Sequence, residues 1–232
     1  MQLLVSVTNA TEASAALAGG ADVIDAKDAS VGALGAVTVD TLGEIRDVVS
    51  GARPVTAALG DAGDEADIAR AACAFAAAGA VLVKVGFAGT VSPLRVAALI
   101  AAAVHGAQAG NERTGVIAVA YADADRVASI PKAQLVEVAR RAGARGLLLD
   151  TADKQGPGLR GLVTPTALTD WVTEVHDAGL LVALAGQLTA VDLSFVRDAG
   201  ADIAGVRGAA CEGGRNGHVT AEKVRSLSAQ CV

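Results

Sequence analysis

The sequence predicts an α/β protein, a (β/α)8 TIM barrel occupying residues 1–232 as a single domain. Three observations carry this. A helix-like run ending in Gly is repeatedly followed by a short β-branched or Leu run: Gly20 before Val23-Ile24, Gly79 before Val81-Leu82-Val83, Gly143 before Leu147-Leu148-Leu149, Gly179 before Leu180-Leu181-Val182, and Gly200 before Ile203. Gly after a helix permits a left-handed C-terminal cap. The apolar runs are uniform rather than alternating, which suits parallel strands buried on both faces. Finally, strand and helix signals alternate eight times with no Gly/Ser linker or charge block between them. An open doubly wound sheet is the alternative, but it seldom needs eight parallel strands in so short a chain.

In order, strands are predicted to start near residues 3, 22, 54, 81, 116, 146, 180 and 202, with helices over 10–19, 40–50, 65–78, 92–105, 131–142, 165–178, 189–199 and 219–229. Thr11 and Thr189 read as helix N-terminal signals, and Pro93, Pro131 and Pro165 suit first-turn positions.

Composition narrows the function. The chain has 232 residues, a net charge of −6, 52 % hydrophobic residues and 2 % aromatics. The hydrophobic content excludes a disordered chain. The acidic balance argues against a nucleic-acid partner, and so few aromatics supply no stacking platform. Cys73, Cys211 and Cys231 have neither a disulfide framework's number nor metal-ligand spacing. The N-terminus has no basic, long-apolar signal pattern, and no apolar run reaches the length of a membrane helix. A cytoplasmic protein with no membrane partner is expected. A homo-oligomer is allowed.

In a barrel of this kind, chemistry belongs at the C-terminal ends of the strands. Of nineteen Lys and Arg residues only five are lysine. Lys132 and Lys223 fall in predicted helices. Lys27, Lys84 and Lys154 all lie at or just past strand ends. Lysine can form an imine or lose its proton, and arginine can do neither. Asp25 and Lys27 are two residues apart on a strand and share a face, which points them to the barrel mouth. Lys84 interrupts an apolar strand and needs a polar cavity or a partner. Taken singly, each lysine is better read as half of an architectural ion pair. Three lysines converging with Asp25 and Asp150 favour a catalytic mouth. Clustered lysines are expected to lower one another's pKa by like-charge repulsion, and of Lys84 and Lys154 the former is expected to be the more desolvated and the better general base.

Strand ends seven and eight form a second constellation. Gly186 follows the seventh strand, and Arg207-Gly208-Ala209 follows the eighth. Small residues there leave backbone N–H groups open to a phosphate, and Arg207 can add a bidentate contact. The competing reading is a tight turn with Arg207 paired to an acid. His105, His176 and His218 are scattered and read as non-catalytic, Cys211 reads as structural, and Tyr121 suits a rim hydrogen bond as well as catalysis. No metal and no organic cofactor is expected.

Several segments resemble the (5-formylfuran-3-yl)methyl phosphate synthase family. They are Leu3-Leu4-Val5-Ser6-Val7, the run from Gly19 through Asp25-Ala26-Lys27, Lys84-Val85-Gly86, Ala120-Tyr121-Ala122-Asp123, Leu149-Asp150-Thr151-Ala152 with Lys154, and Val206-Arg207-Gly208-Ala209-Ala210-Cys211. The resemblance is collinear over essentially the whole chain. It implies a (β/α)8 barrel of methanofuran biosynthesis that joins two molecules of glyceraldehyde 3-phosphate into a furan aldehyde phosphate, with loss of phosphate and water. It places the family's Schiff-base lysine on Lys27, its other catalytic lysines on Lys84 and Lys154, and its catalytic carboxylates on Asp25 and Asp150. The family's first loop often reads D-V-K-x-P-x-x-G-S-L-G-A, and the stretch from Asp25 to Ala36 lacks that proline and serine. Two other readings remain open at this point: a class I aldolase acting on one sugar phosphate, and a non-catalytic barrel that binds a phosphorylated metabolite.

Overall fold

The computed structural model describes residues 1–231. Eight parallel strands close into a barrel in sequence order, with the first hydrogen-bonded to the eighth: β1 (Gln2–Val7), β2 (Val23–Ala26), β3 (Val55–Asp61), β4 (Leu82–Gly86), β5 (Gly115–Tyr121), β6 (Gly146–Asp150), β7 (Leu181–Leu184) and β8 (Ile203–Val206). Around them lie α1 (Ala10–Ala18), α2 (Val39–Val49), α3 (Glu65–Ala77), α4 (Pro93–Gly110), α5 (Lys132–Arg141), α6 (Leu159–Leu162), α7 (Pro165–Asp177), α8 (Leu193–Asp198) and α9 (Ala221–Ser228). A short hairpin, β9 (Cys211–Glu212) with β10 (His218–Val219), follows β8. Among the described residues no helix is long and apolar enough to cross a membrane.

The recurring glycines behave as the sequence predicts. Gly20, Gly79, Gly143, Gly179 and Gly200 all have left-handed φ, between 75° and 92°. At α3, for example, the Gly79 amide donates to Ala76 and the Ala80 amide to Phe75, at 2.8 and 3.0 Å. This paired cap ends the helix and turns the chain straight into the next strand.

The strands are buried on both sides, as uniform apolar runs require. Outward residues such as Leu3, Val5, Ile24, Val83, Val85 and Leu147 pack beneath the helices. Inward residues form a separate small core of Leu4, Val23, Ala58, Ile117, Val119, Leu148, Ala183 and Ile203, which fills the lower barrel. Above that plug the inward positions turn polar.

Some boundaries differ from the predicted ones. Asn9, not Thr11, caps α1, accepting the Glu12 amide at 2.9 Å. Pro131 is the residue before α5 rather than inside its first turn, whereas Pro93 and Pro165 do begin their helices. Thr189 forms a reciprocal capping box with Asp192 at a 3-10 turn, leaving α8 only six residues long. The helix expected to stop near 105 continues to Gly110. Its Gly106 and Gly110 are contact points: a Cβ at either would strike the α3 backbone at Ala69 or Cys73. Helix α6 and the β9–β10 hairpin carry too few residues to show a period, and nothing in the sequence reading marked them.

Candidate active site

Strand register builds the site. Ser6, Asp25 and Thr56 are mutual neighbours on β1, β2 and β3. Alternation turns all three inward, above Leu4 and Val23. Ser6 donates to Asp25 Oδ2 at 3.0 Å and Thr56 donates to Asp25 Oδ1 at 2.7 Å. Lys84, inward on β4, forms an ion pair with the same carboxylate, and the Asp25 side chain is wholly buried. Such a charge survives in a barrel core because hydroxyl and ammonium donors replace its water.

Across the mouth, Asp150 ends β6. Its Oδ1 accepts from the Thr151 amide at 2.8 Å and from Lys154 Nζ at 2.7 Å. Lys154 is thus already folded back over the strand end, on a loop braced by Asp123, whose carboxylate accepts the Ala152 and Asp153 amides at 2.7 and 2.9 Å. Burial raises the Asp150 pKa, but the neighbouring Lys154 and Lys27 outweigh it and hold the carboxyl below its ordinary value.

Lys27 sits between these two ion pairs, one residue past β2. It is 8 % exposed and lines the same cavity as Lys84, Lys154 and both carboxylates. Unlike those of the other two lysines, its side-chain amine has no hydrogen-bond or ion-pair partner among the described residues. Burial pulls its pKa down, Asp150 and Asp25 pull it back up, Lys84 and Lys154 push it down again, and the balance is about 8. One point of the sequence reading is corrected here. Desolvation, not repulsion among lysines, is the main cause of the depressed pKa. Lys84 is engaged with Asp25 and Lys154 with Asp150, which leaves Lys27 as the cavity lysine without an ion-pair partner.

The cavity holds about 260 Å³ and reaches the ends of β7 and β8. Gly186 (φ 111°) and Gln187 (φ 57°) are consecutive left-handed residues. Their amides, and those of Gly208 and Ala209, donate to no protein acceptor. Successive amides in such a turn form a concave anion seat. Gly186, Gly208 and Ala209 line the same cavity.

Arg207 lines the cavity but its guanidinium is spent elsewhere. Nη1 and Nη2 grip the Glu12 carboxylate of α1, with Nη2 at 3.0 Å, while the remaining N–H groups go to the carbonyls of Arg215, Ser6 and Gly217 at 3.1, 3.1 and 2.8 Å. The expected bidentate phosphate contact from Arg207 is thus not available without breaking a buried pair. The turn-plus-acid alternative describes this residue. Glu12 is held below its usual pKa: burial pushes it up, and hydrogen bonds from Arg207 and Thr8 more than offset that.

The sequence reading missed Arg215. It lies on the hairpin after β8 and lines the cavity. Nothing local in Gly213-Gly214-Arg215-Asn216-Gly217 marks it, because β9 and β10 turn it inward only after they pair. Ser6 and Thr56 were also missed as Asp25 donors; a hydroxyl at an inward strand position was the available signal.

Tyr121 is a rim residue: its OH donates to Asp61 Oδ1 at 2.7 Å, and burial together with the Asp61 charge raises its pKa. Cys211 is buried, which raises its thiol pKa. His176 pairs with Asp202 at 3.1 Å on the opposite end of the barrel, His105 lies in α4, and His218 sits on the hairpin. Among the described residues no three His, Cys, Asp or Glu side chains gather as metal ligands would.

Solved structures with this fold include a 3-hexulose-6-phosphate synthase, at TM-score 0.64 and 23 % identity over the full length of both chains. A KGPDC from Streptococcus mutans superposes at TM-score 0.69 and 17 % identity over 99 % of this chain and 96 % of that one. At these identities the likeness concerns the barrel alone. Sequence relatives go further. The (5-formylfuran-3-yl)methyl phosphate synthase of Methanopyrus kandleri is 40 % identical over 80 % of this chain and 79 % of its own. That of Methanocaldococcus jannaschii is 37 % identical over 81 % of each. The family model of 4-HFC-P synthase matches residues 3–228. With a match spanning nearly every strand and helix of the barrel, the chain belongs to the 4-HFC-P synthase family and is an enzyme.

Proposed function

We propose that this enzyme condenses two molecules of glyceraldehyde 3-phosphate into 4-(hydroxymethyl)-2-furancarboxaldehyde phosphate through an imine on Lys27, as a cytoplasmic step of methanofuran-type cofactor synthesis. The balance is two triose phosphates in, one furan aldehyde phosphate, one inorganic phosphate and two waters out. The observation that carries this reading is Lys27: a buried amine with a pKa of about 8 and no carboxylate partner, in a cavity whose other two lysines are ion-paired. Near neutral pH about a tenth of such an amine is unprotonated, against less than about one part in a thousand for an ordinary lysine. The free amine adds to a triose carbonyl, and loss of water gives an iminium that draws electrons from the neighbouring carbon.

The later steps are deprotonation, β-elimination of phosphate, carbon–carbon bond formation and ring dehydration, and each needs a proton moved. The two ion pairs suit that work. Asp25 and Asp150 are the acceptors, and the ammonium groups of Lys84 and Lys154 are the donors, so each pair can take a proton at one point and return it at another. Lys154, at the β6 end, is the donor assigned to the departing phosphate. The amides of Gly186, Gly208 and Ala209 hold one substrate phosphate. No metal or organic cofactor enters the scheme.

Incubation with glyceraldehyde 3-phosphate alone should release inorganic phosphate and yield the furan aldehyde phosphate. Borohydride added during turnover should leave a triose-derived adduct on the Lys27 peptide. An aldolase would release no phosphate, a binding barrel would give no adduct, and labelling confined to Lys84 or Lys154 would overturn the assignment of the nucleophile.

A further inference from the structure

Five cations line the cavity: Lys27, Lys84, Lys154, Arg207 and Arg215. Three are neutralised by buried carboxylates, Lys84 by Asp25, Lys154 by Asp150 and Arg207 by Glu12. Lys27 must be uncharged when it reacts. Arg215 is left as the one cavity cation among the described residues whose charge is neither paired nor given up.

Its position is specific. The Arg215 backbone packs over Gly208, whose Cβ, if present, would lie 3.5 to 3.8 Å from Arg215 N, Cα and Cβ. Arg215 thus stands at the wall of the β7–β8 anion seat. Its Nη2 donates to the carbonyls of Gly32 at 2.7 Å and Ala29 at 3.4 Å, in the loop that follows Lys27. Its Nε and Nη1 donate to no protein acceptor. Burial lowers its pKa, the direction expected for a charge still short of partners. The loop it touches is closed on itself by the Asp28 amide donating to Gly35 at 2.9 Å, and it lowers Leu34 into the barrel mouth as part of the cavity wall.

We propose that Arg215 binds a substrate phosphate through the unused N–H groups of Nη1 while Nη2 holds the β2 loop, so that the phosphate itself seals the cavity over Lys27. The guanidinium allows this double role because it is planar and rigid, with Nη1 and Nη2 donating in fixed and different directions. A lysine cannot do both. The consequence is specificity: a triose lacking phosphate still reaches Lys27 but leaves the loop loosely held. This inference rests on the reading of a phosphorylated aldehyde as substrate.

The test compares borohydride trapping of Lys27 by glyceraldehyde 3-phosphate and by glyceraldehyde, in the intact protein and in Arg215→Gln and Arg215→Lys. The intact protein should favour the phosphate ester. Arg215→Gln should lose about tenfold or more of that preference, through a higher half-saturating concentration of the ester, with glyceraldehyde still trapped on Lys27 as proof that the site is formed. Hydrogen exchange over residues 29–35 gives an independent readout. Inorganic phosphate should slow it in the intact protein and in neither variant, although Arg215→Lys keeps the charge. A preference for the ester that is the same in Arg215→Gln as in the intact protein would overturn the role of Arg215 and leave the substrate reading standing. An intact protein with no preference for the ester would sink the substrate reading, and this inference with it.

Discussion

At the scale of single residues, the site is a contrast between charges that are paired and charges that are not. Lys27 is buried without a partner, and its pKa of about 8 lies below the ordinary lysine value. Below pH 8 the folded state carries the full cost of a desolvated ammonium. Between about 8 and 10.5 the unfolded chain binds more protons than the folded one, so stability rises with pH across that window. Lys27→Met should therefore abolish borohydride trapping, raise stability at neutral pH, and flatten the slope between about pH 8 and 10; denaturant titrations at several pH values will show whether it does. Arg207 is the opposite case. Arg207→Ala strands the Glu12 carboxylate in the interior, and loss of one partner of a buried pair typically costs about 3–5 kcal/mol. The expected result is a large fall in melting temperature rather than a selective rise in KM. Because the folded Glu12 pKa is depressed, its contribution is complete above the ordinary carboxylate range and fades as pH falls through the folded value, so the fall should shrink in acid. The lysines were legible in the sequence because an ammonium inside an apolar strand has few bland explanations. The fate of Arg207 was not, because Glu12 lies 195 residues away and reads as an ordinary first-turn acid of a helix.

At the scale of elements, glycine carries two meanings that the sequence does not separate. Gly79 and its four counterparts end helices with left-handed φ, and these positions fixed the strand starts to within a residue or two. Gly106 and Gly110 look similar in the sequence yet lie inside α4, where the missing side chain lets the helix rest on the backbone of α3. That close approach explains why the predicted end at 105 fell short. The two meanings give opposite mutational signs. Gly43 in α2 has nothing within 4 Å of a new Cβ, so Gly43→Ala should stabilise by about 0.5–1 kcal/mol through backbone entropy. Gly106→Ala must push two helices apart and should destabilise by roughly 1–3 kcal/mol. Thermal melts of the two single variants moving the same way would contradict this account of α4.

At the scale of the whole molecule, the barrel is stacked as a dry plug beneath a charged storey. Leu4, Val23, Ile117, Leu148 and Ile203 close the bottom, and Asp25, Lys84, Asp150 and Lys154 stand above them. On the proposed function, such a storey serves reactivity more than stability. Lys84→Met alone should destabilise by leaving the Asp25 charge with only its two hydroxyl donors. The double variant Lys84→Met/Asp25→Asn should recover most of that loss, and neither should turn over triose phosphate. A double-mutant cycle on unfolding free energies measures the coupling directly, and additive values would mean the pair contributes nothing to the fold. The eight-strand architecture was visible in the sequence because each βα unit repeats the same local signals. The shape of the mouth was not, since it depends on a hairpin, β9 with β10, whose two-residue strands leave no period to detect.

The grip of Arg207 on Glu12 also sets an order of events during synthesis. The acid is made 195 residues before its guanidinium. At about 5–20 residues per second on a ribosome, α1 waits on the order of ten seconds or more before its carboxylate can be enclosed. Until then the first strand has no eighth to close against and the mouth around Lys27 is unfinished, so its amine is no more acidic than any exposed lysine. On the proposed function, the nucleophilicity of Lys27 therefore waits for the eighth strand. A reactive amine is withheld from the aldehydes of the cell until the cavity that directs it exists.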